Sequence, residues 1–202
     1  MKERGKCEIW DYSVNKPLSF LVYFEIQLAN QGHAFAQYAL GKCYKNGIGL
    51  EKDNQKAIEK YQEAAEQGLS KAHYCLGKFY QSGTLVEKDH RKAITFYHKA
   101  SNQGYIPAQY KLSKCYYYGI GIEQSNEMAL QWLQEAAKYG YAKAQYRLGM
   151  CYLEGIGIER DVQKAARLIQ NAAEQGDFLA LLTLRFCHNI GIGVEKNCGE
   201  LY

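Results

Sequence analysis

Proline is almost missing from this chain, with 2 residues in 202, so little in the composition interrupts long helices. The 7 cysteines make an odd count, and none of Cys7, Cys43, Cys75, Cys115, Cys151, Cys187 and Cys198 stands in a C-x-x-C or other zinc-like spacing. No Asn-x-Ser/Thr sequon occurs. These absences favour a reducing compartment, most simply the cytoplasm. Long apolar runs are also lacking. Leu18 to Phe24 is interrupted by Glu25 and followed by no small-residue cleavage pattern, and it falls far short of the roughly 20 residues that span a bilayer. Neither a signal peptide nor a transmembrane helix is expected. Charge of one sign is not concentrated anywhere: 25 basic and 21 acidic residues leave a net +4 spread along the chain, so nucleic acid is not the default partner.

What is abundant is periodic. The sequence carries 19 Gly and 18 Tyr, and Gly32, Gly68, Gly104, Gly140 and Gly176 recur at one fixed interval, the 36-residue period of a structural repeat. Gly47, Gly83, Gly119, Gly155 and Gly191 keep the same step. So do Leu40, Leu76, Leu112, Leu148 and Leu184, and Ala36, Ala72, Ala108, Ala144 and Ala180.

Within one unit, Ala36, Leu40, Gly41 and Tyr44 form one apolar stripe on a helix turning about 100° per residue. This is helix A, and Gly47 ends it. The link Ile48 to Lys52 delivers Asp53, whose counterparts are Asp89, Ser125, Asp161 and Asn197, all strong N-cap types. Helix B then runs through Ala57, Tyr61, Ala64 and Ala65 to Gly68. Each unit is therefore an αα-hairpin. Its small residues let helix axes approach, and it must stack on neighbours to bury its surface. The expected organisation is an N-terminal segment 1–17, a solenoid 18–194 and a tail 195–202. The solenoid divides into a half repeat 18–32, full repeats 33–68, 69–104, 105–140 and 141–176, and an incomplete repeat 177–194. The opening helix is an orphan helix B, and the last is a helix A whose Leu182 and Phe186, with Leu153, are left exposed at that end.

The string A-x-A-Q-Y-x-L-G-x-C-Y-x-x-G-I-G-I-E-x-D-x-x-K-A, followed by A-A-E-Q-G, resembles the Sel-one-like repeat, a relative of the tetratricopeptide repeat with a longer glycine-containing link. The resemblance covers about Leu18 to Val194. It implies an all-α, right-handed α-α superhelix acting as a non-catalytic adaptor or scaffold for other proteins. Departures are local: Thr84-Leu85 replaces Ile-Gly in the second link, Ser113 and Arg185 replace the helix A glycine, and His188 replaces its tyrosine.

Two other function classes, a hydrolase and a single-strand RNA binder, compete with that reading. A cysteine-rich, β-lactamase-like branch of the family staples its hairpins with paired cysteines. Here Cys43, Cys115, Cys151 and Cys187 occupy one equivalent position in different repeats, roughly 8 to 10 Å apart at ordinary helix spacing, beyond the about 7 Å that a disulfide spans. Buried structural thiols are the better reading, with Cys7 or Cys198 the more reactive. Ser13-Val14-Asn15-Lys16 spells the S-x-x-K of serine hydrolases, but Pro17 disfavours a helical Lys16. The histidines, His33, His73, His90, His98 and His188, show no H-E-x-x-H, and the G-I-G links join helices rather than following a strand as phosphate loops do. No metal or cofactor is expected. A single-strand RNA binder using tyrosine stacking and lysine contacts is the third class.

The pattern with binding content is the second face of helix A. By resemblance to tetratricopeptide proteins that face lines a concave groove. One ladder along it is Tyr38, Tyr74, Tyr110 and Tyr146; the other is Lys42, Lys78 and Lys114, then Met150 and Phe186. Lysines there can pair with carboxylates of an extended partner peptide, and tyrosines offer rigid contact area. The alternative is that the tyrosines pack between repeats and the lysines are ordinary solvated surface.

Overall fold

The computed structural model describes the backbone of residues 9–11, 16–18 and 20–190, with side chains for 20–186. Two short strands, β1 (Ile9–Asp11) and β2 (Lys16–Leu18), pair antiparallel with Trp10 opposite Pro17. The helical reading does not anticipate this pairing. Leu18 belongs to β2, and the first helix begins only at Phe20. Ten helices follow among the described residues: α1 (Phe20–Asn30), α2 (Ala34–Asn46), α3 (Asn54–Glu66), α4 (Ser70–Ser82), α5 (His90–Asn102), α6 (Ile106–Tyr118), α7 (Asn126–Lys138), α8 (Ala142–Glu154), α9 (Val162–Glu174) and α10 (Phe178–Ile190). Helices α2, α4, α6 and α8 are the A helices of successive hairpins, and α3, α5, α7 and α9 are their B helices. The chain forms two units, residues 1–103 and 104–202.

The first, third and fourth links are built in the same way, and the second keeps its Gly83 turn and only the Asp89 N–H to Tyr80 O return. Gly47 takes φ 69°, a conformation that costs a Cβ-bearing residue energy. It lets Ile48 N–H return to Cys43 O at 3.0 Å, and Asp53 N–H then returns to Tyr44 O at 3.0 Å. The cap side chain closes the start of helix B: Asp53 accepts from Lys56 N–H, Asp89 from Lys92, Ser125 from Met128 and Asp161 from Lys164. These backbone hydrogen bonds, first among the causes, hold the carboxyls of Asp53, Asp89 and Asp161 below the usual range. Asn197, the fifth cap of the series, lies outside the described residues.

Inside the hairpins Leu40, Leu76, Leu112 and Leu148 are buried among alanines, and the helix A glycine sets how close helix B comes. A Cβ added to Gly41 would sit 3.2 Å from Ala57 O, and one added to Gly77 would be 2.6 Å from the Tyr97 ring. Ser113 stands at the same place in α6, and its facing residue on α7 is Leu133 rather than a tyrosine. The space released by the smaller partner admits the extra atoms, and Ser113 Oγ donates to Tyr110 O at 2.9 Å. The buried glutamine of the A-x-A-Q-Y string is a second tie. Gln67 Nε2 donates to Gln37 Oε1 at 2.6 Å in the first unit, and Gln175 Nε2 to Gln145 Oε1 at 2.7 Å in the second. Tyr139 replaces the donor glutamine opposite Gln109, and Gln109 Oε1 is left buried without a hydrogen bond.

On α10, Leu182 and Phe186 are exposed as expected, while Leu153 on α8 is half-buried. The side chains of Cys187 and His188 lie outside the described residues, as do Gly191 and the tail. Among the described residues, no helix is long and apolar enough to cross a membrane.

Candidate partner-binding site

In the first unit Tyr38 and Lys42 project from α2 and Tyr74 and Lys78 from α4. Both tyrosines are half-buried. Tyr38 meets Tyr61 edge-on at 5.6 Å and takes the Cys75 thiol on its hydroxyl, Sγ to O 3.9 Å; Tyr74 lies 5.9 Å from the Tyr97 ring. Each ring thus packs against helix B of its hairpin while staying half-exposed. Lys42 and Lys78 are exposed. Lys78 Nζ stands 5.8 Å from the centroid of Tyr74, and Lys45 Nζ stands 5.0 Å from that of Phe79. The acid nearest in effect to Lys42 is Glu25 of α1, whose carboxyl is pushed up by burial and drawn back by Lys42.

The lysines of the two helix types differ in their company. On the B helices, Lys56, Lys60, Lys92, Lys138 and Lys164 each pair with an acid three residues away. On the A helices, Lys42, Lys78 and Lys114 form no ion pair among the described residues.

In the second unit Tyr110, Lys114, Tyr146 and Met150 come together around a cavity of about 160 Å³ between α6, α7 and α8. A broader groove of about 770 Å³ shares Tyr110, Lys114, Tyr146 and Arg147 with it. Tyr110 packs 5.4 Å from Tyr141 and shares a hydrogen bond with Arg147; burial raises its phenol pKa against the pull of that guanidinium. Tyr146 accepts a long hydrogen bond, 3.4 Å, from Thr183 of α10. Sequence reasoning missed Arg147. Its counterparts in the earlier A helices are Ala39, Cys75 and Lys111, and a fork-shaped cation replacing an alanine or a thiol beside the tyrosine ladder was the available signal. Phe186, which ends the lysine ladder, is exposed on α10.

The competing chemistries find little here. Cys43, Cys75, Cys115 and Cys151 are free thiols. Burial pushes all four up, Cys115 to about 11, which keeps them protonated and poorly nucleophilic. Ser13, Cys7 and Cys198 lie outside the described residues, and Lys16 is in β2 rather than on a helix. His73 is buried with its Nδ1 3.3 Å from Leu69 O and its ring edge-on to Phe96, a packing role. Among the described residues no group of His, Cys, Asp or Glu could hold a metal ion.

Comparison with known proteins matches the chain to the model of the Sel1 repeat at residues 34–69, 70–105, 106–141 and 142–177. Comparison with curated proteins gives no match. Among solved structures, a protective antigen of uropathogenic Escherichia coli with an SLR fold is similar at 35% identity and TM-score 0.81, over 87% of this chain. This chain spans only 38% of that protein's length. A Sel1 repeat protein from Oxalobacter formigenes is similar at 31% identity and TM-score 0.76, over 86% of this chain and 76% of that one. An immunity protein from Pseudomonas aeruginosa follows at 28% identity and TM-score 0.54, over 79% and 59%. With four consecutive repeats matched and the hairpins superposing on solved members, this chain belongs to the Sel1 repeat family.

Proposed function

We propose that this protein is a non-catalytic adaptor that holds an acidic or mixed acidic-apolar segment of another protein against its A helices. Sel1 repeat proteins are generally protein-interaction scaffolds. In the first unit the contact residues are Tyr38, Lys42, Tyr74 and Lys78; in the second they are Tyr110, Lys114, Tyr146 and Met150. The observation that carries this reading is the segregation of lysine pairing. On the B helices Lys56, Lys60, Lys92, Lys138 and Lys164 pair with their own acids, whereas Lys42, Lys78 and Lys114 of the A helices form no ion pair among the described residues, and Lys78 lies over the Tyr74 ring. A partner carboxylate completes them by charge-assisted hydrogen bonds. Buried free thiols support a reducing compartment, the cytoplasm, as the place of action.

The test is affinity capture with mass spectrometry, comparing wild type with Lys42→Ala/Lys78→Ala/Lys114→Ala, after circular dichroism has established that the variant is folded. All three lysines are outside the buried core, so the fold should survive. A protein partner lost selectively from the variant is expected, and a partner list identical for both would overturn the assignment. Steeply salt-dependent capture of RNA in place of protein would also overturn it.

A further inference from the structure

Two buried positions that meet in space change together between the units. In the first unit Tyr61 of α3 and Phe79 of α4 lie with centroids 5.3 Å apart, and with Tyr38 against Tyr61 they fill the space between helices. Two repeats further on, the same positions are Leu133 of α7 and Cys151 of α8. Each change removes an aromatic ring, and both residues line the cavity of about 160 Å³ in the second unit. A cavity near 150 Å³ with apolar walls holds roughly one benzene. The space left by these two changes is thus about the size of one aromatic ring, and its lining joins Leu133, Met150 and Cys151 to the polar Lys114, Arg147 and Glu154.

The mouth of the cavity is cationic. Arg147 lines the cavity beside Tyr110, with which it interacts electrostatically, and its guanidinium carries five N–H donors in a fork. Lys114 stands on the same rim, and among the described residues neither cation forms an ion pair. Glu154 also lines the cavity, so two cations face one carboxylate and the mouth remains net positive.

We propose that this cavity is an anchor site for an aromatic side chain of the partner segment. The ring enters between Leu133, Met150 and Cys151, and an adjacent carboxylate of the same segment is held by Arg147 and Lys114. The site rests on the adaptor reading above and narrows it, because the recognised segment must then contain an aromatic residue next to an acidic one. It is not a covalent site. The Cys151 thiol is held protonated by burial, and its part is to leave room.

The experiment uses 3-phenylpropionate, which carries the ring and the carboxylate, and its neutral analogue 3-phenylpropanol, each titrated into the whole protein by ligand-observed NMR. The acid is expected to bind about tenfold more tightly than the alcohol, a difference of one ion pair's order. Arg147→Gln, an exposed substitution, should remove most of the acid's advantage over the alcohol, and Arg147→Gln/Lys114→Gln should bring the two to one level. Ser113→Gly/Leu133→Tyr/Cys151→Phe rebuilds the filled arrangement of the first unit, the glycine being needed to seat the tyrosine, and should abolish binding of both probes. If that triple variant does not fold, Met150→Trp fills the cavity from its half-buried wall and should do the same. Absence of probe binding to wild type, equal affinity for acid and alcohol, or binding that survives filling would each overturn the anchor. Protein capture that depends on the three lysines while neither probe binds would sink the anchor and spare the groove. Probe binding in a protein that captures no partner would sink the groove reading alone.

Discussion

Substituting Gly77→Ala places a methyl group where α4 and α5 are closest. The new Cβ would lie 2.6 Å from Cε1 and 2.7 Å from Cδ1 of Tyr97, and 3.2 Å from the carbonyl oxygen of Ala93. The ring has little freedom to retreat: Tyr97 is fully buried, and its hydroxyl donates to Gln81 Oε1 at 2.9 Å. Overpacking of this kind costs about 1 to 3 kcal/mol. Replacing a mid-helix glycine by alanine returns up to about 1 kcal/mol of helix propensity, so a net loss of roughly 1 to 2 kcal/mol is expected. Gly41→Ala is the internal control. It returns the same propensity, but its Cβ would meet nothing closer than Ala57 O at 3.2 Å and the Tyr61 ring at 3.4 Å, and it should be near neutral. Urea unfolding followed by far-UV circular dichroism, with comparable slopes for both variants, measures the difference directly. In a Tyr97→Leu background, which imitates the Ser113 and Leu133 pair, the cost of Gly77→Ala should shrink, giving a measurable coupling between the two positions. A Gly77→Ala midpoint equal to or above that of Gly41→Ala would refute the close-approach account.

Tyr139→Gln restores the donor that Gln109 Oε1 lacks and should stabilise the second unit by about 1 kcal/mol; a thermal midpoint unchanged or lowered would count against the glutamine tie. Alkaline pH should destabilise the fold. Unfolded, the Cys115 thiol ionises near its ordinary value of 9.0, whereas in the folded chain burial holds the proton to about 11. Between these values the unfolded state binds fewer protons, so this contribution is fully present below pH 9 and is lost as pH rises toward 11. Buried Tyr61, also pushed up by desolvation, acts in the same direction at higher pH. Urea midpoints at about pH 8 and about pH 10 should differ more in wild type than in Cys115→Val, and equal differences would contradict it.

Much of the hairpin was legible because its signals are local. A cap at Asp53 acts on Lys56, three residues away, and Gly47 ends the helix that immediately precedes it. Period then carries one hairpin to the next, so ten helices follow from a pattern of caps, stops and apolar stripes. The strand pair β1 and β2 escaped this logic, since three residues on each side carry no usable period.

The candidate site divides along the same line. Tyr38, Lys42 and their counterparts could be placed on one face of helix A from angular spacing alone, because that face is a property of a single helix. Which lysines are already neutralised depends on rotamers and neighbours, and only the folded chain separates the paired Lys56 from Lys78. Arg147 gains its meaning from the Tyr110 hydroxyl on another helix. The cavity is the clearest case. Leu133 and Cys151 are each unremarkable apolar residues in sequence, and nothing local says that their counterparts Tyr61 and Phe79 share one volume. The sequence by itself determined the repeat, its helices and the face that each side chain takes, because these depend on short-range geometry. Tertiary structure alone decided what fills the space between helices, because packing is set by the joint volume of side chains brought together from different helices.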